Sequence, residues 1–178
     1  DASYCFRLTD AGAVLDGYDV YAEAIVIGDN NVYIIKLDSA GNQVFAAKRA
    51  NNDDSAADQT EPRIALTENL GVATTVVAWL DDRAGQSDVY AQAFDAAGNA
   101  LWNGGNEIAI TASATDETAV AVVIDSNDEV IFAWTEVGTI DKVYLMKYDL
   151  AGNSLWPSPV LGPLTLFGIS QPSLVADQ

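Results

Sequence analysis

The sequence predicts an all-β chain assembled from repeated four-stranded antiparallel units. Three observations carry that expectation. A segment recurs at a spacing near 55 residues, apolar and polar positions alternate with period two inside it, and no stretch joins a helix cap to a run of helical periodicity.

The recurring segment is VYIIKLDSAGNQVF from Val32, VYAQAFDAAGNALW from Val89 and VYLMKYDLAGNSLW from Val143, which places Tyr33, Tyr90 and Tyr144 57 and then 54 residues apart. The residues before it repeat too, since VVAWLDDRAGQSDVY matches IFAWTEVGTIDKVY and sets Trp79 and Trp134 55 apart. A worn copy opens the chain, where Tyr4, Phe6, Leu8, Ala11, Gly12 and Leu15 align with Tyr90, Gln92, Phe94, Ala97, Gly98 and Leu101. Tyr4 and Tyr33 are only 29 apart, about half a unit, so either the first unit is truncated or residues absent from this chain once lay between the two copies. The units are then 1–31 (partial), 32–88, 89–142 and 143–178 (partial), all in a single repeat-built domain, 1–178.

In chain order, strands are expected near Tyr4 to Leu8 and Ala13 to Leu15, followed by the hairpin YAEAIVI and NVYIIKL around Gly28-Asp29-Asn30, residue types that accept the positive φ of tight turns. After Phe45 the strand frays into a polar connection, Arg49 to Pro62, shortened to TASATDET in the next unit. PRIALTE, a turn at Asn69 to Gly71, the Trp79 strand, a turn at Asp81 to Asp88, the strand Val89 to Asp95, a turn at Ala96 to Asn99 and a strand with Trp102 complete one unit. AVAVVID, a turn at Ser126 to Asp128, and EVIFAWTE repeat the pattern. At the end, Leu174 to Asp177 reads as the opening strand of another unit, expected to pair with the N-terminal segment or with a neighbouring chain.

Alternation puts Tyr90, Gln92 and Phe94 on one face of their strand and Val89, Ala91 and Ala93 on the other, so both faces are largely apolar. A strand of that kind belongs to a sheet covered on both sides, as radially stacked blades are, whereas a sandwich strand has a polar outer face. The small and β-branched first strands, Ile64-Ala65-Leu66 and Val120-Ala121-Val122-Val123, suit the crowded position near a propeller axis. The expected fold is therefore a β-propeller type of repeat, about three to three and a half units forming part of a larger or oligomeric propeller.

Eight Lys and Arg stand against 26 Asp and Glu, a formal net charge of -18, which repels nucleic acid and anionic membranes and favours cations or basic partners. With no His, Ser-His and Cys-His catalysis and most zinc sites are excluded. Cys5 stands alone, either a small buried apolar residue or a partner for another chain, with burial preferred. The uncharged stretch Ser154 to Ala176 is interrupted by Pro157, Pro159, Gly162, Pro163, Gly168 and Pro172, so no membrane span is expected, and any secretion signal is expected to have been removed before Asp1.

The motif carried by Trp79, Asp81, Arg83, Gly85, Asp88, Val89, Tyr90, Gln92, Asp95, Gly98, Asn99, Leu101 and Trp102 resembles the β-propeller repeats of large secreted and cell-surface proteins of prokaryotes. Its second half is distantly similar to the Asp-box hairpin of sialidase-like propellers. The resemblance implies a propeller and an extracellular or cell-surface location, and carries no single activity. The third unit departs from it, with Glu136 and Val137 where Asp81 and Asp82 stand and with no arginine.

Asp38, Asp95 and Asp149 read as turn carboxylates, Gly41, Gly98 and Gly152 as positive-φ positions, and Phe45, Trp102 and Trp156 as packing residues, not sugar platforms. As a metal candidate, the turn 125–129 offers Asp125, Asn127 and Glu129 to calcium, although it lacks the glycine and distant bidentate carboxylate of a full calcium loop and a solvated turn is preferred; the acidic stretch with Asp53, Asp54 and Asp58 is a weaker version. No catalytic residue and no other cofactor is expected. A sialidase-like hydrolase would need clustered arginines, for which only Arg7, Arg49, Arg63 and Arg83 exist. The expected function is a noncatalytic module that binds a protein or glycan at the cell surface. The alternatives are a subunit completed by strand exchange between copies, and a glycan-active hydrolase.

Overall fold

The computed structural model describes residues 4–9, 19–26, 31–37, 42–53, 56–69, 72–162 and 172–175. Among them are twelve strands and one short 3-10 turn, Trp102–Gly105, and no α-helix. The strands are β1 Tyr4–Thr9, β2 Asp19–Val26, β3 Asn31–Leu37, β4 Gln43–Arg49, β5 Gln59–Asn69, β6 Val72–Asp81, β7 Asp88–Asp95, β8 Ile108–Ala109, β9 Glu117–Ile124, β10 Glu129–Glu136, β11 Lys142–Asp149 and β12 Val160–Leu161. They form three antiparallel meanders, β1-β2-β3-β4, β5-β6-β7-β8 and β9-β10-β11-β12, each in sequence order.

The chain's opening differs from the expectation of a truncated unit. Tyr4–Thr9 is the first strand of a complete sheet, paired from Tyr4↔Ala24 to Thr9↔Asp19, so the likeness of Tyr4, Phe6 and Leu8 to the β7 pattern reflects a shared alternation of large residues and not a shared place in the fold. The recurring VY segment is the third strand of every sheet. The strand after Phe45 does not fray either, since β4 runs on to Arg49, with Tyr33 opposite Arg49. At the other end, Leu174 and Val175 join no strand in this chain, and Val175 is 89 % exposed. The turn at 27–30, Asp38 and Gly41, and the side chains of Cys5 and Arg7 lie outside the described residues.

Both faces of the second sheet are covered. Ile64, Val77, Trp79 and Phe94 pack with Val32, Ile34 and Ala50 of the first sheet. Ala65, Val76, Ala78, Val89, Ala91 and Ala93 pack with Val120, Phe132, Trp134 and Met146 of the third. The period-two alternation of β7 thus feeds two cores at once, as the apolar character of both its faces predicts. The first strand of each later sheet makes the junction, β5 against β1, β2 and β3, and β9 against β5, β6 and β7. Among the described residues the three sheets do not close into a ring.

A second clasp repeats at both junctions. The aromatic residue after the third strand lies on the turn glycine of the following sheet, Phe45 on Gly98 and Trp102 on Gly152, where an added Cβ would stand 2.8 Å and 2.9 Å from the rings. Each such turn is built on one aspartate. Asp95 Oδ1 accepts the amides of Ala97 (2.9 Å) and Asn99 (2.8 Å) and its Oδ2 the Asn99 side chain (2.9 Å). Asp149 repeats all three bonds, with Ala151 at 2.9 Å, Asn153 at 2.8 Å and the Asn153 side chain at 2.9 Å. These turns are folding devices, and the burial of Trp102 agrees with its reading as a packing residue, while Trp156 is half-buried against the same core.

Candidate functional site between the second and third sheets

Each junction contains a slot whose floor is the segment entering the later sheet and whose wall is that sheet's Trp-Tyr cross-strand pair, Trp79↔Tyr90 or Trp134↔Tyr144. Backbone bonds fix the correspondence. Ala50 N donates to Val32 O at 2.7 Å as Ile110 N does to Val89 O at 2.8 Å, and Val32 N donates to Asn51 Oδ1 at 3.0 Å as Val89 N does to Thr111 Oγ1 at 2.8 Å.

Beneath the first slot lies a buried neutral cluster. The Asn51 amide donates to Asn31 Oδ1 at 2.6 Å and to Gln59 Oε1 at 3.1 Å, using both of its hydrogens. The second slot has the same arrangement with different chemistry. Thr111 Oγ1 lies 3.1 Å from Asp88 Oδ1 and 3.2 Å from Glu117 Oε2, and both carboxyls are buried. One hydroxyl proton cannot serve two carboxylates, so the cluster closes only if a carboxyl keeps a proton. Burial first, then the hydrogen bond and charge of Asp88, opposed by hydrogen bonds from Ser113 and Thr111, push the Glu117 pKa up to about 7.

The first slot is filled by Arg83. Its guanidinium lies 4.2 Å from the Tyr90 ring centroid and donates to Asp81 through Nε (2.9 Å) and Nη2 (2.5 Å) and to Glu107 through Nη1 (2.6 Å), with Asp53 Oδ2 3.9 Å from Nε. Asp81 also accepts from Trp79 Nε1 at 3.1 Å, and Glu107 accepts from the Asn52 amide at 2.9 Å, which ties the connection between sheets to the slot. Burial disfavours the charge of Arg83, but the hydrogen bonds and charges of Asp81 and Glu107 outweigh it and hold the guanidinium firmly protonated.

The second slot is open. It forms a cavity of about 410 Å³ lined by residues 110–113 and by Glu117, Trp134, Glu136, Tyr144 and Pro159, with Glu117 the cross-strand partner of Glu136. That volume lies within the range of about 300 to 1,000 Å³ common to ligand sites. Trp134 and Tyr144 stack with centroids 6.2 Å apart and planes at 25°. Glu136 stands where Asp81 does, Pro159 where Glu107 does, and the loop that carries Arg83 in the second sheet is here Val137-Gly138-Thr139-Ile140, exposed and without a cation. Lys142 Nζ, on a side chain 43 % exposed, lies 3.6 Å from Glu136 Oε1 at the rim.

The turn 125–129, the calcium candidate, is closed by its own aspartate. Asp125 Oδ1 accepts the amides of Asn127 (2.9 Å) and Glu129 (3.0 Å), the Asn127 side chain points to an exposed surface, and Lys147 pairs with both Asp125 (3.4 Å) and Glu129. The Lys147 ammonium thus bridges the carboxylates of Asp125 and Glu129. Among the described residues no group of three or more His, Cys, Asp and Glu has metal-site geometry. The described arginines are dispersed as well, with Arg49 donating to the Asp53 carbonyl, Arg63 paired with Glu61 at 3.5 Å and Arg83 committed to Asp81 and Glu107.

The slot itself is absent from the residues singled out in the sequence, although its signal was there. The loss of the arginine in the third unit marks the place where a filled slot becomes an empty one. The chain matches no protein-family model, and neither the curated proteins nor the solved structures contain a match to it. No helix among the described residues is long and apolar enough to cross a membrane.

Proposed function

We propose that the chain is a run of β-propeller blades in a noncatalytic, extracellular or cell-surface module that binds a partner at the open slot between its second and third sheets. The observation that carries this reading is the repeated junction. Three successive meanders are joined by the same aromatic-on-glycine clasp at both junctions, so the sheets stack in series with both faces of the middle one covered. The resemblance of the repeated motif to propeller repeats of secreted proteins supports the location. The acidic balance, -18 overall, supports a basic or cationic partner.

The slot's chemistry supports binding over turnover. Trp134 and Tyr144 line it beside the carboxyls of Glu117 and Glu136, and Glu117 accepts hydrogen bonds from Thr111 and Ser113, an arrangement that suits a cationic ligand. The test is a screen of purified chain against immobilised extracellular proteins and glycans, read beside a hydrolysis assay on polysaccharides and sialosides. Saturable binding that is lost on changing Trp134 or Tyr144, with no turnover, is the expected result. Turnover that disappears when a single Asp or Glu is replaced would overturn it.

A further inference from the structure

We propose that the open slot is a receptor for a guanidinium cation, an arginine side chain presented by a partner protein. This rests on the reading of the slot as the binding site and names its ligand. The argument is internal to the molecule. One junction earlier, the corresponding slot holds the guanidinium of Arg83, face-on to Tyr90 at 4.2 Å and bonded to Asp81 and Glu107. The later slot keeps the aromatic pair, as Trp134 and Tyr144, and keeps an acid in the place of Asp81, as Glu136. It adds a second carboxyl at the floor, because Glu117 occupies the position of the neutral Gln59. It lacks the arginine, and Pro159 stands in the place of Glu107, so the second carboxyl comes from the floor and not from the fourth strand.

The result is a cavity of about 410 Å³ with a π face on one side and acids at rim and floor, shaped around a group the chain itself supplies elsewhere. A planar guanidinium stacks on a ring and forks onto carboxylate oxygens in a way an ammonium does not. Lys142 reaches Glu136 only at 3.6 Å from an exposed side chain, so an entering arginine competes with a weak surface pair.

The experiment titrates the chain with the blocked amino acid N-acetyl-arginine amide and follows the indole resonance of Trp134, assigned through Trp134→Phe. N-acetyl-citrulline amide, which has the same shape without charge, N-acetyl-lysine amide and a set of neutral sugars serve as comparators. The arginine probe should bind saturably, the lysine probe more weakly, and citrulline not at all. Glu136→Gln should weaken arginine binding roughly tenfold, the scale of one lost charge-assisted contact. Lys142→Ala should strengthen it. Gly138→Arg, four residues after Trp134 as Arg83 is after Trp79, should close the slot to the probe and shift the Trp134 resonance in the free protein; Glu136→Gln, a near-isosteric change, keeps the test decisive if that variant does not fold. Equal binding of citrulline and arginine, or arginine binding indifferent to Glu136→Gln, overturns the proposal. A Trp134 response to sugars but not to arginine overturns it while leaving the slot a binding site, and no response to any probe removes both readings.

Discussion

Trp102 Nε1 donates a hydrogen bond to the carbonyl of Leu150 at 2.8 Å, so an indole that belongs to the second sheet is fastened to the turn of the third. Its ring also covers Gly152, which has φ +83 and no room for a Cβ. Trp102→Ala should therefore cost about 3 to 5 kcal/mol, the range for truncating a buried aromatic. Gly152→Ala carries both backbone strain and a clash with the indole. Gly85→Ala, at φ +92 with nothing within 4 Å of the added Cβ, carries strain alone and costs about 1 kcal/mol. Denaturant unfolding should rank Gly152→Ala clearly below Gly85→Ala. Equal losses would mean that the clasp does not hold the sheets together.

The paired turns make an acid-side prediction. Hydrogen bonds from Asn99 and Ala97 lower the Asp95 pKa below the ordinary carboxylate value, and burial, which opposes, is outweighed at Asp149 by the same bonds from Asn153, Ala151 and Gly152. A carboxylate whose folded pKa is depressed stabilises the fold above its unfolded pKa, and that contribution is lost as the pH falls through the lower folded value. The double variant Asp95→Asn, Asp149→Asn should lower the melting temperature at pH 7 and flatten its decline below pH 4. A decline as steep as in the parent chain would assign acid sensitivity to other groups.

Much of this architecture was legible from residues alone, because the D-x-A-G-N turn couples one carboxylate, one positive-φ glycine and one asparagine in a fixed order that has a single low-energy conformation. The two-faced burial of β7 followed from its alternation, with Ala91 and Ala93 on one side and Tyr90 and Phe94 on the other. The place of Tyr4–Thr9 was not legible, since strand order depends on pairing with residues 19–24 and alternation alone looks the same in a first and a third strand. Pro62 inside β5 was read as a strand start. It sits in a bulge between Thr60 and Arg63 beside Glu61 at φ 49, and Ala119 repeats that backbone at φ 55 in β9. The slot is not visible in the sequence because a cavity is made by residues far apart in the chain, such as Ser113, Trp134 and Pro159.

The buried carboxyl pair gives a prediction of opposite sign to the turns. Below about pH 4.5 Glu117 is protonated folded or unfolded; above it the unfolded chain releases the proton, while the folded chain keeps it up to about pH 7. Over that window the folded state binds more protons, so stability falls as the pH rises. Glu117→Gln copies the amide that the first junction already uses at Gln59, and should abolish this slope while keeping the fold. An unchanged slope in that variant would show that Glu117 ionises freely in the folded protein.

Arg83 provides the last prediction, because its removal strands two acids at once. Asp81 is fully buried and the Glu107 side chain is 5 % exposed, and the guanidinium answers both. Arg83→Ala leaves these carboxylates facing each other in a dry slot, at a cost of about 3 to 5 kcal/mol, the range for an uncompensated buried charge. Arg83→Lys keeps the charge but gives up the fork that reaches Asp81 through Nε and Nη2 while Nη1 serves Glu107, so it should recover only part of the loss. Replacing all three, Arg83→Met with Asp81→Asn and Glu107→Gln, removes the unpaired charges and should be more stable than Arg83→Ala alone. Unfolding of the four proteins in urea at pH 7 orders them as parent, Arg83→Lys or the triple variant, then Arg83→Ala. If Arg83→Ala unfolded at the parent's midpoint, the slot would be shown to be solvated, and the guanidinium would be no more than a surface ion pair.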